Sequence, residues 1–305
     1  MIEAQRQEDL ANLLPVFAAG AAIPKTIHQI YFGQDPRLPA ALQQNVDRIL
    51  ACNPGWAHQL YDDRAMAEFI RTNYGARILS YYLRINEKYG AARADLFRYL
   101  LMYQQGGVYL DIKASLERPL DDVLRPDEVF VLARWRDTKG ELYERWGMHR
   151  ELRKFGGKEF QQWHIIAAPG HPFLRAVILR VLANIDAYSP LWHGIGKNGV
   201  LWLTGPVAYT LAITPLLAQN PHRLLAGHDE LGLVYSVFKA NAAVAHRTMF
   251  KYHYAEMTEP VAAISGPTRL LWAIFGPLQI HVLGRAGRIV EALARRARRL
   301  GLLGT

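Results

Sequence analysis

The spacing of apolar and polar positions changes period several times along this chain, and each change marks an expected element. Residues 26–32 (TIHQIYF) make a compact run of β-branched and aromatic side chains between Pro24 and Gly33, which reads as a buried strand. A helix is expected over 40–50, after the PRLP segment. Asn53, Pro54 and Gly55 signal a turn, and a short strand follows over 56–61. Asp62 and Asp63 stand where that strand gives way to a helix over 65–74, so one of them is a candidate N-cap. From 78 to 103 the period is helical, with a break near Tyr89 and Gly90. Leu96, Tyr99, Leu100 and Tyr103 form a stripe at 3.6-residue spacing in its second half. That stripe ends at Gln104-Gln105-Gly106-Gly107, where glycine can take the left-handed C′ conformation. A strand, Val108-Tyr109-Leu110, follows directly and stops at Asp111. Further strands are expected over 129–133 and 165–168, and a helix over 173–185.

Strands alternating with helices predict an α/β fold, a Rossmann-type domain with a mostly parallel central sheet and a helical C-terminal appendage. In such sheets ligands bind beyond the carboxyl ends of the strands, and Asp62, Asp63 and Asp111 all fall at such ends. The expected division is a helical lead-in over 1–22, the main domain over 23–260, and the appendage over 261–305.

Composition adds exclusions. Half of the 305 residues are apolar and about a fifth are charged, enough for a real core. No uninterrupted apolar run of spanning length stands out, and the N-terminus lacks a basic segment followed by a long apolar one. Neither a membrane-spanning helix nor a secretory signal is therefore expected. The single cysteine, Cys52, excludes an internal disulfide framework and a multi-cysteine metal site, and reads as structural. These features fit a reducing, cytoplasmic setting. The formal charge of +9 is concentrated: residues 285–299 carry six Arg against one Glu. The preceding stretch 264–283 is apolar but interrupted by Pro267, Gly276 and Pro277. One reading is an amphipathic appendage on an anionic membrane surface, peripheral at the inner face. The other is a helix packed on the domain with a solvated basic end. The basic residues form no aromatic-interleaved patch, so no nucleic-acid partner is expected.

The candidate chemistry lies in 92–113, ARADLFRYLLMYQQGGVYLDIK. Asp95 and Arg98 are three apart on one helix and share a face. The glycine pair then leads into the strand ending at Asp111, so two acids and a base can converge at one sheet edge. Carboxylates accept hydrogen bonds from hydroxyls, and a cation offsets charge on a leaving group. Taken singly, each of these residues reads as an ion-pair partner or a turn cap; the ordered string is what points to a site.

This string resembles the DXD-containing sugar-binding region of glycosyltransferase family 32. The likeness opens at Ile23-Pro24-Lys25-Thr26-Ile27-His28-Gln29 and continues through Trp56 and Leu60-Tyr61-Asp62-Asp63 to the block 93–113. It is weaker over 165–172 and over Trp202-Leu203-Thr204-Gly205-Pro206. The resemblance implies a GT-A-like fold and a nucleotide-diphospho-sugar donor, a UDP- or GDP-sugar. It also implies transfer with retention at the anomeric carbon, to a glycan or glycolipid acceptor. A bacterial capsule or lipopolysaccharide setting is the expectation by analogy. Carried across, Asp95 would hold sugar hydroxyls, Arg98 would contact the sugar or diphosphate, and Asp111 would be the first acid of the DXD motif. Ile27, His28 and Gln29 would lie under the base, with Trp56 a stacking candidate. Tyr109 falls within the matched block, and Thr204 and Gly205 would sit near the donor sugar. Asp111 is the candidate metal ligand for Mn²⁺ or Mg²⁺.

The family's second motif acid is Lys113 here, and an ammonium cannot coordinate a cation. Three explanations stand open. Asp62 or Asp63 supplies the missing ligand; Lys113 itself neutralises the diphosphate; or catalysis is lost. The last leaves a non-catalytic sugar-nucleotide or glycan-binding protein as the alternative, with a nucleotide-sugar hydrolase as its close variant. The remaining histidines lack zinc-like spacing. His246 and His253 are candidates to reach the diphosphate from a loop. Residues 194–199 (GIGKNG) lack the phosphate-loop order and are expected to be a flexible loop on the acceptor side; acceptor loops are expected between Arg134 and Lys158 and after Ser189.

Overall fold

The computed structural model describes residues 2–33, 37–238 and 257–299. After helix α1 (Ile2–Leu13) come β1 (Thr26–Ile30), α2 (Ala40–Cys52), β2 (Ala57–Tyr61), α3 (Asp63–Arg84), α4 (Gly90–Gln105) and β3 (Gly107–Leu110). The middle holds β4 (Ser115–Leu116), α5 (Leu120–Val123), β5 (Phe130–Ala133), β6 (His164–Ala167) and α6 (Pro172–Ala187). Then follow α7 (Pro190–His193), α8 (Gly196–Leu203), α9 (Pro206–Ile213), β7 (Arg223–Leu225) and β8 (Leu233–Val234). The C-terminal helix is Gly266–Arg299.

The α/β expectation holds. Six strands form one sheet in the order β2-β1-β3-β6-β5-β7, and β4 pairs with β8 separately. The sheet, expected to be mostly parallel, is mixed: three of its five strand pairings are parallel and two antiparallel. β1 is parallel to β2 and β3, and β5 to β7, while β6 runs antiparallel to both of its neighbours. The strand pleat sends alternate residues to opposite faces. Thus Val108 and Leu110 join one core with Ile27, Val131 and Ile166, while Tyr109, Phe130, Leu132 and Ile165 join the other with α3, α4, α6 and α9. Both faces of the inner strands are covered, which is why β3 and β5 read as continuous apolar runs.

The two glycines between α4 and β3 are required by geometry. Gly106 closes α4 at φ +66° and Gly107 enters β3 at φ +100°. A Cβ on Gly107 would lie 2.6 Å from the Thr26 carbonyl oxygen of the neighbouring strand. The α4–β3 connection is thereby short, and Asp111 lies close to the helix that carries Asp95 and Arg98.

Several local expectations change. The helix expected over 65–74 and the next one form a single element, α3, bent at Gly75 (φ +79°). Residues 194–199 are not a free loop: Gly196 begins α8, and its N–H donates to the Tyr89 hydroxyl at 3.0 Å. Gly196–Gln219 has the length and hydropathy of a spanning helix. In the fold it is broken at Thr204-Gly205 into α8, α9 and a 3₁₀ turn, with Leu203, Val207, Tyr209 and Ile213 buried inside the protein. The appendage is one helix running through Pro277. His246 and His253 lie outside the described residues.

Candidate active site

The carboxyl ends of β1, β2 and β3 open into a cleft of about 1840 Å³. At its base, α4 and β3 bring together the three residues singled out in the sequence. Arg98 donates through Nη2 to Asp95 Oδ1. Through Nη1 it donates to Asp111 Oδ1 at 3.0 Å and to the Gln162 carbonyl at 2.9 Å. The guanidinium also lies 4.9 Å from the Tyr109 ring centroid, and Tyr109 donates its hydroxyl proton to Asp111 Oδ1 at 3.0 Å. Asp95 Oδ2 accepts from Thr204 Oγ1 at 2.8 Å, and Oδ1 also accepts from Gln162 Nε2 at 3.2 Å. Tyr99 donates to the Thr204 carbonyl at 2.8 Å, fixing the α8–α9 junction against α4.

Exposure separates the roles of the two acids. The Asp111 side chain is 27% exposed, whereas those of Asp95 and Arg98 are 3% and 6% exposed. Asp111 is thus the more open of the two carboxylates in the cleft lining, while Asp95 is enclosed and holds Arg98. Burial pushes the Asp95 carboxyl above its usual range, against the pull of Arg98 and Thr204. Burial also disfavours the Arg98 charge, but Tyr109, Asp95 and Asp111 outweigh it and hold the guanidinium firmly protonated.

Lys113 reaches the same cleft by a route the strand pattern did not foretell. The strand ends at Leu110, and the chain turns with the Ala114 N–H donating to the Asp111 carbonyl at 2.8 Å. The two-residue alternation stops there, but the turn still leaves Lys113 in the lining, its Nζ donating to the Tyr235 hydroxyl at 2.9 Å. The donor set does not fit a divalent cation held by protein ligands. Asp111 Oδ1 is engaged by Arg98 and Tyr109, and an ammonium occupies the second motif position. Asp62 caps α3 by accepting from the Ala65 N–H at 2.7 Å, and Asp63 accepts from Tyr82 at 2.9 Å. Among the described residues, no group of three or more His, Cys, Asp or Glu is placed to hold a metal.

Other expected residues sit elsewhere. Gly205 lines the cleft; Thr204 reaches it only through Asp95. Ile27, His28, Gln29 and Trp56 are buried outside the lining. His28 contacts the Gly106 carbonyl at 3.1 Å and Tyr61, and burial lowers its pKa to about 4. Gln29 approaches the Asp111 carbonyl at 3.5 Å and Trp56 donates to Asp121 at 3.0 Å. All four are mid-strand or strand-entry positions packed between layers. The carboxyl end of β1 instead presents Ile30, Tyr31, Phe32 and Gly33 to the cleft.

The sequence reading missed the facing wall. Trp135, Tyr143, Trp146, Trp163 and Tyr235 all line it, with Trp135–Tyr143 and Trp163–Tyr235 ring centroids 5.0 and 5.4 Å apart. Beside them Glu159 accepts from Trp135 Nε1 at 2.6 Å and pairs with His149 at 2.5 Å. The signal was present as an aromatic excess in 135–163, but no periodicity assigned it to one surface.

Comparison with known proteins bears out the resemblance drawn from the sequence. Residues 39–131 match the family described as "Glycosyltransferase sugar-binding region containing DXD motif". The chain is 28% identical over 187 residues to inositol phosphoceramide mannosyltransferase 3 of Schizosaccharomyces pombe, covering 61% of this chain and 44% of that protein. It is 34% identical over 185 residues to a mannosyl phosphorylinositol ceramide synthase of Saccharomyces cerevisiae, covering 61% and 40%. The match thus spans less than half the length of these relatives. Among solved structures, the PaToxG glycosyltransferase aligns over 91% of this chain and 92% of its own, at 16% identity and a TM-score of 0.45.

Proposed function

We propose that this protein transfers a hexosyl group from a nucleotide-diphospho-sugar to a glycolipid hydroxyl, with retention at the anomeric carbon. The observation that carries the reading is the Asp95–Arg98–Asp111 network at the base of a cleft roomy enough for donor and acceptor together. The family match and the names of the relatives support the same class of chemistry. Mannose is the first sugar to test, because both named relatives carry it in their names. Those names speak for a glycolipid acceptor; none of them supports the capsule or lipopolysaccharide setting expected by analogy.

In this reading the base stacks near Tyr31 and Phe32 at the end of β1, as planar rings favour. Asp111 accepts from ribose or sugar hydroxyls through its exposed edge. Arg98, held by Asp95, and Lys113, steadied by Tyr235, face the diphosphate with fixed positive charge. As the bond from the anomeric carbon to the phosphate oxygen breaks, the electron pair passes to the diphosphate, and these cations stabilise it. The acceptor oxygen forms the new bond to the same carbon, on the face the diphosphate leaves, and passes its proton to the departing diphosphate oxygen. Lys113 serves here as the charge that a DXD acid would otherwise recruit through a metal. The aromatic wall from Trp135 to Tyr235 then forms the acceptor side.

A transfer assay with UDP- and GDP-hexoses and a phosphoinositol-sphingolipid acceptor tests the proposal. Product with the donor's anomeric configuration is expected. Donor hydrolysis without a glycolipid product would replace transferase by hydrolase, and donor binding without turnover would leave a binding protein.

A further inference from the structure

The C-terminal helix leaves the body of the protein with one long face uncovered. Leu270, Leu271, Ile274, Phe275, Leu278 and Val282 are all exposed. At about 100° per residue they fall within an arc of roughly 140° on one side of the helix. The opposite side makes the attachment. Gly276 is buried with Trp272 folded over it, and Gln279 donates to the Pro190 carbonyl of α7. The α7 turn adds Trp192, which is 84% exposed. An apolar face of this extent exceeds the scattered exposed side chains of ordinary surfaces. Beyond Val282 the same helix runs through 285–299, a segment with six Arg and one Glu.

We propose that this helix is a docking platform for an anionic lipid bilayer. Its apolar arc enters the boundary between headgroups and acyl chains, and the Arg-rich continuation meets lipid phosphates. A second copy of this chain would cover the apolar arc but would give the Arg excess no counter-charge. An anionic bilayer satisfies both features, and Trp192 suits the interface where an amphipathic ring sits between apolar and wet layers. The proposal needs neither donor nor transfer, so it stands or falls apart from the catalytic reading.

The test is co-sedimentation of the full chain with phosphatidylcholine vesicles, with and without about a third phosphatidylglycerol. The wild type is expected to bind the anionic vesicles on the order of tenfold more tightly, with the preference weakening in salt. The double variant Ile274→Asp, Phe275→Asp is expected to lose binding on the order of tenfold or more. Arg295→Glu with Arg296→Glu is expected to lose the anionic preference. Ile274 and Phe275 are exposed, so the Asp variant should melt as the wild type does, and a thermal melt of each variant is the folding control. Absence of vesicle binding by the wild type would overturn the proposal, as would binding indifferent to the Asp variant. A wild-type dimer in light scattering that the Asp variant dissociates, without vesicle binding, would assign the face to self-association instead.

Discussion

Replacing Thr204 by Val tests the network at the base of the cleft without touching a residue that faces it. The two side chains have nearly the same shape, and position 204 is fully buried. The change removes the 2.8 Å hydrogen bond to Asp95 Oδ2 and sets a methyl group against a buried carboxylate oxygen. A hydrogen bond to a charged group contributes about 1.5–3 kcal/mol. For a chain of this size each kcal/mol moves the melting temperature by about 2 °C, so a fall of about 3–6 °C is expected. Loss of the Thr204 donor also favours the protonated form of Asp95, already favoured by burial. A neutral Asp95 would release Arg98, so donor affinity should fall along with stability, by about tenfold. Differential scanning fluorimetry with and without donor reads both effects. A variant that melts within a degree of the wild type and binds donor equally would refute the idea that Thr204 holds Asp95 and, through it, Arg98.

Three further outcomes follow from the same structure. Lys113→Gln should weaken binding of a nucleoside diphosphate by about 10- to 100-fold while leaving the free nucleoside unaffected, since one charge-assisted contact is lost; calorimetry with both ligands separates the cases, and equal losses would contradict a diphosphate role. Gly107→Ala should lower the melting temperature by at least about 3 °C, because strain at φ +100° costs about 1–3 kcal/mol before the 2.6 Å clash with Thr26 is added; Gly55→Ala, whose Cβ meets nothing within 4 Å, is the control. Stability should decline as pH falls from 6.5 towards 4. His28, His171 and His228 are lowered by burial to about 4 and His164 to about 3, so the unfolded chain takes up their protons first. Each such histidine steepens the decline by up to about 1.4 kcal/mol per pH unit, and a urea midpoint that is flat across this window would contradict the assignment.

Much of the fold was legible in the chain because both sheet faces are covered. Runs such as 108–110 and 130–133 contain only apolar residues that suit a buried strand, and Gly106-Gly107 marks where the helix must reverse. The antiparallel insertion of β6 was not legible, since strand direction leaves no trace in an apolar run such as His164–Ala167. In the site, Asp95, Arg98 and Asp111 were legible because helix spacing and one short connection force them together. The residues expected under the base lie half a strand from the cleft lining. The sequence reading chose Ile27–Gln29, but mid-strand side chains are enclosed between layers and only the carboxyl end at Ile30–Gly33 reaches the cleft. The aromatic wall was hidden for a different reason. Trp135, Tyr143 and Trp163 are spread along the long β5–β6 connection and Tyr235 follows β8, and only the folded chain brings the three rings 5.1, 6.4 and 5.4 Å from that of Tyr235.

The central claim is that this cleft binds a nucleotide-diphospho-sugar through Asp111, with Lys113 in place of a protein-held metal. The most direct test is calorimetric titration of the wild type, Asp111→Asn and Lys113→Gln with UDP- and GDP-hexoses, in manganese and in EDTA. The account predicts one preferred donor, loss of its binding in both variants, and nearly equal affinity in the two buffers. Binding undiminished in Asp111→Asn, or wild-type binding only in manganese, would contradict it.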